Sequence, residues 1–230
     1  MDTLPGYVPI VFIATTLLAV VLFLLAVRGI VRKLAVLLVI LIWAALHGWV
    51  AWSGYYADVT NFPPEFVKFG VMPVMILMAL YFAFAPKRFV DNLSLRALTL
   101  VHIVRIPVEI VLYLLAAAST IPEIMTFTGR NYDILTGIFS PIVFFLGFKR
   151  GKPRPWVLAF YNVGGLILLA NIVVIAVLTT PLTGRQRMEV YPMNKAVLYF
   201  PYIWLPTVIV PIVMFSHLSS LWQLLRPKLR

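Results

Sequence analysis

Three ionisable residues interrupt an otherwise apolar run, LVHIVRIPVEIVLY, from Leu100 to Tyr113. They are His102, Arg105 and Glu109, and Tyr113 follows on the same helical repeat. Residues spaced by three or four share one face of a helix. A lone charge within a bilayer costs about 2.5–3.5 kcal/mol on insertion scales. The spacing therefore predicts a polar stripe turned away from lipid. Arg105 and Glu109, at i and i+4, are placed to pair with each other. If they line a cavity instead, Arg105 could receive an anionic ligand group, and Glu109 could carry a proton or act as a general base.

Other segments supply partners for that stripe. Asn162, Asn171, Ser140 and His217 fall inside apolar runs, as does His47. Together they suggest a polar layer across the later segments. The stretch MTFTGRNYDIL, Met125 to Leu135, precedes one of these runs. Asn131 suits a helix N-cap, and Asp133 suits a first turn, where the helix dipole favours acid. If this loop folds into the mouth of the bundle, Arg130 lies over a cavity. The polar stretch from 183 to 197 reads as a lid or a plain loop. His102 and His217 fall at similar depth in their segments, the arrangement a bis-histidine haem needs.

Much chemistry is excluded by what is missing. No lysine lies within an apolar run, which rules out a retinal Schiff base. There is no cysteine, and so no disulfide, thiolate or cysteine-held metal. Phosphate-binding glycine loops, HExxH and GxSxG are absent. Acidic or histidine pairs at metal-ligand spacing are absent too, so no metal site is expected.

The elements that must position these residues are transmembrane helices. The chain has 230 residues, 62% hydrophobic and 12% charged, about half the charged share of a soluble domain. Its mean hydropathy is +0.99. The reading is an all-α, polytopic helical membrane bundle in one domain over 1–230. Seven segments stand out, at 7–27, 34–53, 70–85, 97–118, 132–148, 156–179 and 200–224. The third is short and carries Pro73, and a six-helix count is the alternative. Segments 1 and 3 are nearly all apolar and are expected at the periphery.

The net charge of +11 is distributed by topology and does not point to nucleic acid. Arg28, Arg32, Lys33, Lys87, Arg88, Arg96, Lys149, Arg150, Lys152, Arg154, Arg226, Lys228 and Arg230 fall in alternate connections. Lys68, Arg130, Arg185, Arg187 and Lys195 fall in the others, with Asp2, Asp58, Glu65, Glu123, Asp133 and Glu189. Basic residues stay in the cytoplasm, so the N-terminus is expected outside and the C-terminus inside. The pattern suits a multi-pass protein of a bacterial cytoplasmic membrane.

Three functions fit. One is a transporter-like protein binding or moving a small polar or anionic molecule or protons. Another is an intramembrane enzyme acting on a lipid or isoprenoid, which requires a cavity open sideways to lipid. The third is a structural or assembly subunit, which requires a dry and fully paired polar layer.

Overall fold

The computed structural model describes residues 4–61, 63–85, 88–181 and 191–225. The charges at Asp2, Lys87, Arg185, Arg187, Glu189, Arg226, Lys228 and Arg230 lie outside the described residues, as does most of the 183–197 stretch.

Long apolar runs without internal polar backbone partners fold as helices, because a helix satisfies its own backbone groups. Helix α1 spans Tyr7–Ala26, α2 Ile30–Trp52 and α3 Met72–Phe84, the last extended at its start by a π turn over Val67–Val71. A short helix α4, Arg88–Asp91, leads into α5, Leu95–Val101. A 3-10 turn over His102–Val104 joins α5 to α6, Arg105–Ala117. Helix α7 covers Ile134–Leu146 and α8 Pro155–Thr179, with a two-residue β-ladder between them pairing Phe148 with Pro153 and Lys149 with Lys152. A π turn over Leu205–Ile209 opens α9, Val210–Leu225.

Among the described residues, six stretches are long and apolar enough to cross a membrane: 7–26, 30–52, 67–84, 95–117, 155–179 and 205–225. The seventh expected segment, 132–148, contains only the thirteen-residue α7. Such a helix is about 20 Å long, short against a hydrocarbon core of about 30 Å. The chain before it, from Ile121 to Asn131, packs into the bundle and buries Ile121, Met125, Thr126 and Asn131.

The break between α5 and α6 has a cause in the sequence. Pro107 has no N–H for the carbonyl of Ile103, and its ring crowds that carbonyl. The chain tightens into the 3-10 turn at His102–Val104, as helices do beside such a defect.

Helix α1 is not peripheral, contrary to the expectation from its apolar sequence. One face, with Phe12, Thr15, Thr16, Ala19, Phe23 and Ala26, is buried against α5, α6 and α9. Its small residues let the helices approach closely. The hydroxyls of Thr15 and Thr16 donate to the Val11 and Phe12 carbonyls of their own helix and need no other partner. Helix α2 is the outer one instead, burying only His47, Gly48 and Ala51. Helix α3 is peripheral as expected.

The basic connections gather at one end of the bundle. Ser94 N–H donates to the Ala26 carbonyl, and Gln223 Nε2 donates to the Val90 and Leu93 carbonyls. The Arg96 guanidinium lies 4.8 Å from the centre of the Phe148 ring. At the opposite end, Asn194 N–H donates to the Thr179 carbonyl and Lys195 N–H to that of Thr120.

Candidate functional site

The buried charge centres on Arg105, on the first turn of α6. Its partner is Asp133, not Glu109: Arg105 Nη1 and Asp133 Oδ1 form a buried ion pair. The expected i, i+4 pair on one helix is therefore replaced by a pair between α6 and the start of α7. Close packing allows it. At Gly137, one turn beyond Asp133, a Cβ would lie 2.9 Å from Ile106 Cγ1 and 3.1 Å from the Ile106 nitrogen. Any side chain there would push α7 away from Arg105.

The second terminal guanidinium nitrogen, Nη2, lies 3.2 Å from His217 Nε2, and the buried Nε has no partner among the described residues. A guanidinium only donates, so His217 Nε2 accepts. His217 Nδ1 must then carry the proton, which it gives to Asn162 Oδ1 at 2.8 Å. Asn162 Nδ2 in turn donates to the Leu158 carbonyl at 2.7 Å. Gly165 of α8 makes room for the imidazole: a Cβ there would overlap His217 Cε1 and Nε2.

His102 lies face to face with His217, ring centres 3.7 Å apart and planes 14° from parallel. The edge of Tyr161 is beside it at 5.7 Å between centroids. Tyr161 itself donates to the Thr136 carbonyl at 2.8 Å. His102 is fully buried, and neither ring nitrogen has a hydrogen-bond partner. This geometry overturns the haem expectation. Axial histidines point their nitrogens at an iron from opposite sides, whereas these rings stack with no room for a porphyrin, and both His217 nitrogens are engaged.

Glu109, one turn further along α6, meets the re-entrant loop. Asn131 Nδ2 donates to Glu109 Oε1 at 2.5 Å and to the Met125 carbonyl at 3.0 Å. Asn131 Oδ1 accepts from Asp133 N–H at 3.1 Å, so Asn131 closes a turn ahead of α7 in place of the expected N-cap role, while its amide reaches the charged layer. Asp133 occupies the N-cap position of α7 but makes no capping bond, because its carboxylate is turned to Arg105. Glu109 Oε2 is buried and has no partner among the described residues.

The remaining candidates lie outside this cluster. Tyr113 is half-exposed and stacks on Phe127. Arg130 is exposed. Its loop does fold into the bundle, but its side chain does not; its backbone carbonyl accepts from Asn171 Nδ2 at 2.8 Å, and Asn171 is itself exposed. His47 pairs through Nδ1 with the Tyr56 hydroxyl at 2.6 Å, on α2 and apart from the layer. Ser140 donates to the Thr99 carbonyl at 2.7 Å and fastens α7 to α5.

A cavity of about 550 Å³ reaches the charged layer. Arg105, Glu109 and Asp133 line one part of it, and its walls are apolar residues of α3, α6, α8 and α9. Val174 and Val177, which line it on α8, are 56% and 52% exposed. The cavity therefore opens on the outer surface of the bundle, with α3 on one side and α8 on the other. His102 does not line it.

Long apolar helices around a buried charged layer make this a multi-pass helical membrane protein. Residues 65–225 match a family model described as a domain of unknown function, DUF8737, and the chain belongs to that family. The match contains every residue of the layer and of the cavity wall, and leaves out α1 and α2. Neither a curated protein nor a solved structure matches the chain.

Proposed function

We propose that this protein binds an amphipathic, lipid-like molecule within the bilayer, with the apolar part between α3, α8 and α9 and a hydrogen-bond-donating head group at Glu109. The observation that carries this reading is Glu109 Oε2, a buried acceptor without a partner on the wall of a cavity open at the bundle's side. An unpaired buried acceptor costs about 1–3 kcal/mol, which a ligand's donor recovers. Asp133 already neutralises Arg105, and Glu109 is a second acid beside that pair. Arg105 Nε is a buried donor without a partner among the described residues, but two carboxylates face one guanidinium, so a neutral hydroxyl or an ammonium head suits the layer better than an anion. A scaffold would have a paired, closed layer. An enzyme reading has only Glu109 for proton transfer, because His102 lies away from the cavity.

In this reading the protein is one seven-pass domain of a bacterial cytoplasmic membrane. The seventh pass is α7 together with the re-entrant loop before it. The basic end faces the cytoplasm, by the retention of Lys and Arg there, which places the N-terminus outside and the C-terminus inside.

Photoaffinity labelling tests the reading. The protein in phosphatidylcholine nanodiscs is exposed to diazirine-bearing fatty alcohol, fatty amine and fatty acid of equal chain length. The alcohol and amine should label segments Val67–Met75 and Ala170–Val177 more strongly than the acid. In Glu109→Gln the carboxamide keeps one oxygen for Asn131 and presents a donor to the ligand, so this preference should vanish. Equal labelling of wild type and Glu109→Gln by all three probes would sink the proposal.

A further inference from the structure

The cavity has a second polar end, unlike the first in position but alike in chemistry. Asn194 and Thr180 line it where α6 and α8 finish. Asn194 is fully buried, and among the described residues its Oδ1 has no partner and its Nδ2 reaches only Thr180 Oγ1, at 3.5 Å. Thr180 spends its hydroxyl proton on the Ala176 carbonyl at 2.7 Å, so it offers Asn194 Oδ1 nothing. Backbone bonds hold the residue in place, with Asn194 N–H donating to the Thr179 carbonyl and Lys195 N–H to that of Thr120. Asn194 thus sits just beyond the end of α6. From Glu109 to Ala117 that helix rises about 12 Å. Between the two acceptors the wall is apolar, formed by Leu112, Met125, Leu169, Ile172 and Ala176.

Two residues that line one apolar cavity, Glu109 and Asn194, each carry a buried acceptor without a donor among the described residues. A simple lipid with one polar head satisfies only one of them. We infer that the cavity takes a slender molecule polar at both ends, one donor reaching Glu109 near mid-membrane and another reaching Asn194 near the membrane surface. The ligand class is an α,ω-bifunctional amphiphile, an apolar chain or ring system carrying a hydroxyl or amine at each end. This inference rests on the reading of Glu109 above and names the class of molecule that reading admits.

Competition separates the two claims. Tetradecanol and the decane, dodecane and tetradecane α,ω-diols are compared, at equal concentration in the membrane, as competitors of the fatty-alcohol photoprobe. At least one diol should compete about three- to tenfold better than the mono-alcohol, the factor that one hydrogen bond confers. Asn194→Leu should remove that advantage and leave competition by the mono-alcohol unchanged. Asn194→Asp keeps the acceptor and shape, and should preserve the advantage even if the leucine variant folds poorly. If the diols only equal the mono-alcohol, or Asn194→Leu leaves their advantage intact, the two-ended site is wrong and the Glu109 site stands. If neither alcohol nor diol competes, both fall together.

Discussion

Two ion pairs form among the described residues, and their surroundings differ. Lys68 and Glu65 meet at 2.8 Å at the start of α3, with the lysine side chain a third exposed. Arg105 and Asp133 meet near the middle of the bundle, both nearly closed off. The first pair is one turn of a single helix, and water can replace either partner. The second joins two helices and has no solvent to fall back on. The same chemistry is therefore an accessory in one place and a condition of assembly in the other. The buried pair also explains the cavity. By taking the one cation of the layer, Asp133 leaves Glu109 as the surplus acid that a ligand can address.

The largest effect should come from breaking the buried pair from one side. Arg105→Met or Asp133→Leu leaves an uncompensated buried charge and should cost about 3–5 kcal/mol, read as lost thermal stability in nanodiscs. The double variant removes both charges and should recover most of that loss. A double variant as unstable as its singles would mean that the helices need the pair itself and not merely neutrality. Next comes Gly165→Ala. Its methyl would displace the His217 ring, breaking the bond to Arg105 and the stack on His102, at about 1–3 kcal/mol for an overpacked core. A stable Gly165→Ala protein with His217 unmoved would show that α8 can back away.

The sequence made some of this legible and hid the rest for identifiable reasons. His102, Arg105 and Glu109 could be found because a charge inside an apolar run is costly and so marks an inward face. Asp133 could be listed but not paired, because its local role as a helix-start acid accounts for it fully until the 121–131 segment is seen to fold inward. Tyr113 fits the stripe by number alone, and Asn171 counts as a partner by its place in an apolar run, yet both are exposed. Eight residues of α-helix from Arg105 to Tyr113 overshoot two full turns, so the stripe drifts off the buried face. Asn194 gave no signal, since a lone asparagine in a polar loop is ordinary. The closeness of α1 to the centre was equally hidden, because its threonines and alanines pack by shape and an apolar helix reads the same on either side of the bundle. Gly137 and Gly165 carried the missing information on approach distance, but a glycine in a membrane helix has many uses.

A smaller effect is expected where the loop holds the acid. Asn131→Ala removes the donor to Glu109 Oε1 and to the Met125 carbonyl. Unpaired buried acceptors of this kind cost about 1–3 kcal/mol. The variant should also raise hydrogen exchange across the 121–131 segment, because Asn131 ties that segment to α6. Unchanged exchange there would show that burial of Met125 and Thr126 alone holds the loop down.

The smallest effect belongs to the rim pair, and it should depend on pH. The bond from Lys68 Nζ holds the Glu65 carboxyl below the usual carboxylate range, helped by the Lys68 charge and by bonds from Asn61 and Tyr55. A group whose acidity is increased by folding stabilises the fold above its ordinary pKa, and loses that contribution as pH falls through the lower folded value. Glu65→Gln should therefore lower the melting temperature slightly at neutral pH. The difference from wild type should begin to shrink near about pH 4, where the unfolded carboxyl takes up its proton, and should close only below the lower folded value. It should also shrink in high salt, since the pair is open to screening. Arg105→Met should not share the salt dependence, because its partner is nearly closed off from solvent ions. If the two variants respond alike to salt, then water reaches Arg105 and Asp133, and the contrast between the two pairs lies in helix packing and not in solvent access.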